Sequence, residues 1–165
     1  MENKIFDTVN ELLEKYIGGQ IFFTELDRAV KFDKSVLEML VTRARAMFQA
    51  DNVLTIASGE IGLAMHNMGV HIDFLVPGGL RHDPSKINLE PFVDQIDGKH
   101  FVFIDDSYFS GKTVAVVEEE IERLGGNFIG TLVVYDGAKE KKEDVWSLYR
   151  YYDHHDILGR KLKGE

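Results

Sequence analysis

The sequence predicts an α/β domain with a parallel-sheet core flanked by helices. Three observations carry that expectation. Short apolar runs rich in β-branched and aromatic residues recur along the chain, at 53–57, 70–76, 101–104 and 128–135. Between them lie segments whose apolar residues repeat at helical spacing, Ile61, Ala64, Met65 and Met68 in one, Val114, Val117, Ile121 and Leu124 in another. The two kinds alternate, which is the pattern of strands laid parallel with a crossover between them.

The 165 residues suit one domain, long enough to bury roughly two-thirds of the surface an unfolded chain exposes. A hydrophobic share of 44% and a charged share of 28% are those of an ordinary globular protein. A net charge of −9 argues against tracking a nucleic-acid backbone, yet local amide dipoles still allow a small anion to bind. No stretch approaches the ~20 apolar residues of a membrane span. The start Met1-Glu2-Asn3-Lys4 has no apolar signal-peptide core, and the absence of cysteine leaves no disulfide or thiolate metal site. The expectation is a cytoplasmic protein with neither nucleic-acid nor membrane partner.

Taken in order, Ile5, Phe6, Val9, Leu12, Leu13 and Tyr16 mark one face of a first helix, stopped by Gly18-Gly19. Ile21-Phe22-Phe23 is short enough for an edge strand or a packed loop. A helix starts at Asp33-Lys34-Ser35, with Ser35 and Glu38 spaced as a capping box. Its apolar face is Val36, Leu37, Leu40, Val41, Ala44, Met47 and Phe48, and Arg43 and Arg45 are expected toward solvent. Residues 53–76 then compose a βαβ unit whose helix stops at Gly69. Residues 77–99 hold all three prolines, at Pro77, Pro84 and Pro91, and their length without periodicity suits a lid or binding loop. Beyond residue 135, Lys139 to Asp144 is a mixed-charge turn, Val145 to Tyr152 a strand or short helix, and the tail a loose basic segment.

Chemistry concentrates between Phe101 and Thr113. Four apolar residues suit a buried strand, Asp105 and Asp106 follow, and Ser107-Tyr108-Phe109-Ser110-Gly111-Lys112-Thr113 makes a turn before the next helix. Paired carboxylates accept hydrogen bonds only and suit a vicinal diol. The unpaired N–H groups at a helix start suit a phosphate, and open α/β sheets bind ligands beyond the carboxyl ends of their strands.

This stretch resembles the ribose-phosphate motif of the type I phosphoribosyltransferases, and more loosely their orotate-type members. A second similarity supports it: Thr55 to Ala64, with Ser58, Gly59 and Glu60 at its turn, resembles the family's pyrophosphate loop and precedes the main motif at comparable spacing. The resemblance implies one domain over 1–165, with a small helical hood at 1–50, the ligand motifs in a core at 51–136, and a mobile loop at 77–99 contributing Arg81 and Lys86. It implies that Asp105 and Asp106 hold the ribose hydroxyls of phosphoribosyl pyrophosphate and act in catalysis. Ser107 to Thr113 would wrap the 5-phosphate, and Ser58, Gly59 and Glu60 would lie near the pyrophosphate. Mg²⁺ would be held mainly by the substrate, with no direct protein ligand, and a homodimer is the implied assembly.

The implied activity is that of a glycosyltransferase of nucleotide metabolism, moving ribose 5-phosphate to a nitrogenous base. Members acting on 6-oxopurines carry an aspartate where this chain has Phe109, so such a base is not expected. Glu60 beside a diphosphate is repulsive unless it points away or meets a cation. The alternative is a regulatory protein that binds the same ligand without transfer. Rival motifs are weaker: Gly111-Lys112-Thr113 lacks the upstream glycine of a P-loop, Asp106 standing in its place. His154-His155 with Asp153 and Asp156 suits a solvated turn better than a metal site. Trp146, Tyr149, Tyr151 and Tyr152 suit packing better than base stacking, and Glu118, Glu119, Glu120 and Glu122 suit a solvated helix face.

Overall fold

The computed structural model describes residues 2–16, 20–57, 60–76 and 87–162. Five strands, β1 (Asn52–Ile56), β2 (Phe74–Val76), β3 (His100–Tyr108), β4 (Asn127–Asp136) and β5 (Val145–Arg150), form one sheet in the order β2-β1-β3-β4-β5. Every neighbouring pair is parallel. The helices are α1 (Glu2–Tyr16), α2 (Gln20–Lys31), α3 (Lys34–Phe48), α4 (Glu60–Asn67), α5 (Val93–Ile96) and α6 (Lys112–Arg123), with a 3-10 turn at Glu90–Phe92 before α5. The expected α/β architecture is present, and none of these helices is long and apolar enough to cross a membrane.

Successive side chains of a strand point to opposite faces, and β3 shows how both faces are filled. Val102 and Ile104 join an apolar cluster with Val9 and Leu13 of α1, Leu26 and Val30 of α2, Leu37 and Leu40 of α3, and Ile61 and Met65 of α4. Phe101 and Phe103 join the other, with Ile96 of α5 and Val114, Val117 and Ile121 of α6. The N-terminal helices therefore share one core with a sheet face.

Several expectations are corrected. Ile21-Phe22-Phe23 is neither strand nor loop but part of α2, where Phe23, Leu26 and Val30 repeat at helical spacing. Asp33, not a Ser35–Glu38 box, caps α3: its Oδ1 accepts the Ser35 and Val36 N–H groups at 3.0 and 3.3 Å. Arg45 turns back to Asp73 at 2.7 Å and to the Asp51 carbonyl at 2.9 Å, since an i+6 carbonyl and a carboxylate lie within its reach. β2 begins only at Phe74, because β1 offers pairing only from Leu54 to Ile56.

The long segment divides. Residues 77–86 lie outside the described residues, whereas 87–99 is no lid: Ile87, Leu89 and Ile96 are buried against α6. Glu120 is not on a solvated face either. It accepts the Leu89 N–H at 3.1 Å and the Arg123 guanidinium, and Arg123 also holds Glu90 at 2.7 Å.

At the C-terminal end, the alternative between strand and helix resolves to β5. The chain returns from β4 to the parallel β5 through 137–144, short for such a connection. Arg150 holds it: its guanidinium donates to Asp136 Oδ2 at 3.0 Å and to the Ala138 and Lys139 carbonyls at 2.7 and 2.9 Å. The tail is not loose through Leu162. Asp156 accepts from the Leu158 and Arg160 N–H groups, and Leu162 is buried.

Candidate functional site

The winding direction of the sheet reverses between β1 and β3: the chain moves outward to β2 on one side and through β4 to β5 on the other. Such a reversal opens a crevice at the carboxyl ends of the two central strands, where open α/β sheets bind ligands. Pairing of β1 with β3 runs only to Leu54 opposite Phe103, whereas β3 continues beside β4 as far as Tyr108 opposite Asp136. Asp105 and Asp106 therefore lie within β3, not after it, on the stretch where its β1 side has opened. Thr55 closes the throat below them by donating to the Ile104 carbonyl at 2.9 Å.

Strand alternation separates the two acids. Asp105 follows the parity of Phe101 and Phe103, and its Oδ1 accepts the Asp106 N–H at 2.8 Å. Asp106 follows Val102 and Ile104 toward α2 and α4. Its Oδ1 accepts the Ile61 N–H at 2.8 Å, tying the first turn of α4 to β3. Its Oδ2 faces Lys31 Nζ of α2 at 3.9 Å. Lys31 in turn donates to Asp27 one turn earlier and to Glu60 at the start of α4. Only 11% of the Lys31 side chain is exposed, so an ammonium sits largely enclosed among three carboxylates.

Burial shapes the charges here. It pushes the Asp106 carboxyl up to about 7; Lys31 opposes that shift, and Asp105 and Asp27 add to it. Burial likewise raises Asp27 against the pull of Lys31. Burial disfavours the Lys31 ammonium, but its bonds to Asp27 and Glu60 and the field of Asp106 outweigh that and raise it.

Asp27, Glu60 and Asp106 can each bring a carboxylate oxygen within 4.8 Å of the others. Asp27 Oδ1 is buried with no hydrogen-bond partner. Clustered hard oxygens with an unsatisfied one among them fit the donor chemistry of Mg²⁺. This set differs from the expectation of no direct protein ligand, and Asp27 and Lys31 were absent from the expected site. The sequence did hold a signal for them, since Asp27 and Lys31 are spaced i, i+4, but on a helix that spacing usually marks an ordinary surface pair.

The second half of the motif forms the turn into α6. Ser107 and Tyr108 complete β3, Phe109 and Ser110 bend away, and Gly111 begins α6 at φ 76°, the left-handed region that favours glycine. The Tyr108 carbonyl accepts the Gly137 N–H at 2.9 Å, which anchors the turn to the end of β4. No side chain of Gly111 can cap α6; Ser110 Oγ lies 3.4 Å from the Lys112 N–H, and Lys112 is exposed beside it. The result is a helix start with amide donors, a hydroxyl and a cation, suited to an anion. Phe109 is 57% exposed, its ring 5.8 Å from Tyr135 and laid over Gly137.

The structure thus brings Glu60, Asp106 and the turn 107–113 to the carboxyl end of the sheet. Ser58, Gly59, Arg81 and Lys86 lie outside the described residues. The groups near His154 are engaged with one another: Tyr149 Oη meets His154 Nδ1 at 2.8 Å, Asp153 holds Arg150 at 2.7 Å, and Asp156 holds Arg160 at 2.6 Å. Trp146 is half-buried against the core, with Lys141 5.7 Å from its ring centre. A cavity of about 190 Å³ there is lined by Asp136, Trp146, Arg150 and His155, apart from the β1–β3 crevice.

No protein-family model and no curated protein matches the chain. Among solved structures it is similar to a purine phosphoribosyltransferase from Pyrococcus horikoshii, at 18% identity and a TM-score of 0.49, over 72% of this chain and 82% of that one. It is similar to a phosphoribosyltransferase from Corynebacterium diphtheriae at 11% identity and a TM-score of 0.48, over 82% and 83% of the two chains. An orotate phosphoribosyltransferase from Mycobacterium tuberculosis, in complex with 5-phospho-alpha-D-ribosyl 1-diphosphate, gives 13% identity and 0.46 over 82% and 75%.

Proposed function

We propose that the protein binds phosphoribosyl pyrophosphate at the β1–β3 crevice and transfers its ribose 5-phosphate to a nitrogenous base other than a 6-oxopurine. The observation that carries the reading is the acidic pair at the open end of β3, followed directly by the Gly111-started helix α6. In this reading a ring nitrogen attacks C1 of the ribose, the bond from C1 to the diphosphate oxygen breaks, and the diphosphate leaves with the electron pair. Asp105 and Asp106 accept from the ribose hydroxyls and place negative charge near the developing oxocarbenium ion. Ser107, Tyr108, Ser110, Gly111, Lys112 and Thr113 hold the 5-phosphate, so that binding energy remote from C1 aligns it for attack. Phe109 offers an exposed ring where the purine-type members carry an aspartate. Glu60, with Ser58 and Gly59, lies near the diphosphate.

Mg²⁺, when bound, supplies the positive charge that a departing diphosphate requires, and Asp27, Glu60 and Asp106 are the residues that would hold it. Arg81 and Lys86 belong to the loop that would exclude water during reaction. The same reading places the protein in the cytoplasm, in nucleotide metabolism, as a homodimer.

The test is calorimetric binding of phosphoribosyl pyrophosphate with Mg²⁺, to the native protein and to D105N/D106N. Native affinity in the micromolar range that falls at least tenfold in the variant supports the reading; equal affinity overturns it. One observation favours a second reading, a regulator that binds without transfer: Glu60 and the Ile61 N–H, where a diphosphate would sit, are engaged by Lys31 and Asp106. Release of pyrophosphate with a panel of bases separates the two, since the regulator releases none.

A further inference from the structure

The acidic pocket beneath the crevice already contains a cation, and it is part of the chain. Lys31 reaches from the last turn of α2, bonds Asp27 on its own helix and Glu60 on α4, and faces Asp106 of β3 at 3.9 Å. The side chains of Lys31, Asp27 and Asp106 are only 11%, 15% and 15% exposed. Glu60 is different, 69% exposed, and forms the open side of the pocket. Three carboxylates whose oxygens converge within 4.8 Å repel one another unless a cation stands among them. The ammonium occupies that place, yet it leaves Asp27 Oδ1 buried and unpartnered. One monovalent cation thus under-serves a donor set with hard-oxygen chemistry.

We propose that Lys31 is a resident counter-ion, and that a divalent cation entering the Asp27–Glu60–Asp106 pocket displaces its ammonium. The inference rests on the proposed use of Mg²⁺ at this site. Two positive charges cannot share one small pocket without repulsion, so the ion and the ammonium are alternatives. Lys31 joins α2 to α4 and β3, so its release loosens that junction. Metal occupancy of the crevice is thereby coupled to how firmly the N-terminal helices are held. By reciprocity, whatever steadies Lys31 in its pocket weakens metal binding by the same factor.

The test uses the metal alone, with no phosphoribosyl compound, on the full chain. Mg²⁺ and Mn²⁺ are titrated by calorimetry into the native protein, K31M and K31Q. Displacement predicts affinity tighter in both variants by about tenfold, the usual size of coupling between mutually exclusive or mutually favoured ligands. Unchanged or weaker affinity in variants whose circular dichroism remains native overturns the proposal. So does binding that survives D27N/E60Q, since the ion then lies elsewhere.

Because removing the ammonium could prevent folding, hydrogen exchange on the native chain provides the second measurement. Saturating Mg²⁺ should speed exchange in the last turn of α2 while the core of α3 is unchanged. No change at saturation, or no saturation in the millimolar range, overturns displacement. Phosphoribosyl pyrophosphate binding with no Lys31 effect fails this inference alone. A Lys31 effect with no phosphoribosyl pyrophosphate binding fails the proposed function alone.

Discussion

The Asp106 carboxylate accepts the Ile61 backbone N–H at 2.8 Å, so an acid at the end of β3 caps the first turn of α4. A helix start exposes unpaired N–H groups, and a carboxylate there satisfies one of them and meets the positive end of the helix dipole. The same residue is therefore both a candidate ligand group and a structural joint between the two central elements of the crevice.

Stability between pH 4 and 8 should fall as pH rises, and Asp106 should be the cause. Its folded-state carboxyl lies at about 7, above the ordinary 3.8, so the folded protein holds a proton there that the unfolded chain has released. The unfolded state binds fewer protons in this window, which makes the slope of stability against pH negative. Burial is the main cause of the shift; Lys31 on α2 opposes it, Asp105 on β3 and Asp27 on α2 add to it, and the Ile61 N–H on α4 opposes it. The loss is on the order of 2–4 kcal/mol by pH 8. Asp33, held down at about 2, acts in a separate window, losing its contribution only as pH falls below 4. Urea unfolding at pH 5 and pH 8 measures the difference. In D106N, whose amide oxygen can still accept the Ile61 N–H, that slope should shrink to the part that the raised Asp27 carboxyl contributes.

Gly62→Ala should destabilise the protein by about 2 kcal/mol, against the gain of ~1 kcal/mol that the same change brings in an exposed helix interior. A Cβ at this position runs into the Ile56 carbonyl oxygen of β1 and lies 3.1 Å from Thr55 Oγ1. The obstacle is backbone, which cannot rotate aside. The helix would have to lift from β1, carrying the Ile61–Asp106 bond with it. Denaturant midpoints of the native chain and G62A decide the sign, and stabilisation would mean that α4 is not seated this closely.

The sequence carries much of this arrangement, and its silences have physical reasons. β1, α4, α6 and β4 were legible because each is a run or repeat of its own period, bounded by turn residues. The far end of β3 was not, because Asp105 to Tyr108 are held extended by pairing with β4, and polar residues give no apolar signal for that. α2 was obscured by its opening Ile21-Phe22-Phe23, which looks alike in strand and helix over so short a span. The acids of the crevice announced themselves through the motif. Lys31 and Asp27 did not, since they come from a helix distant in sequence and only folding brings them to Glu60 and Asp106. The concern that Glu60 would repel its surroundings was sound chemistry, and its answer is that cation.

Arg150 should prove indispensable to the C-terminal third. It is 4% exposed and faces Asp136 at 2% exposure, while Asp153 and two carbonyls of 137–144 take its remaining donors. R150M leaves the Asp136 carboxylate buried without its partner, a loss of about 3–5 kcal/mol. Lysine is no substitute, because one ammonium cannot span these acceptors as the planar fork does. D136N/R150M should recover part of the loss, since no charge then remains buried. Thermal unfolding of the single and double variants checks both statements, and equal loss in the two would assign the cost to the carbonyl contacts instead.

Gly111→Ala tests whether the α6 start is a ligand cradle or only a turn. At φ 76° an alanine is strained by about 1–2 kcal/mol, and its Cβ would lie 2.7 Å from Tyr108 Oη. Relief of either strain rotates the Gly111–Lys112 peptide and moves the amide donors of the helix start. If those donors bind the 5-phosphate, affinity for ribose 5-phosphate should drop about tenfold, beyond what lost stability explains. A control exists on the same helix. Gly125 follows its far end at φ 86°, and an added Cβ there meets the Asp97 side chain. G125A therefore carries comparable backbone strain at the opposite end from the proposed cradle. Calorimetric titration of ribose 5-phosphate should find G125A close to the native protein and G111A weakened. Equal weakening in both would assign the effect to general destabilisation of α6, and unchanged binding in both would place the phosphate elsewhere.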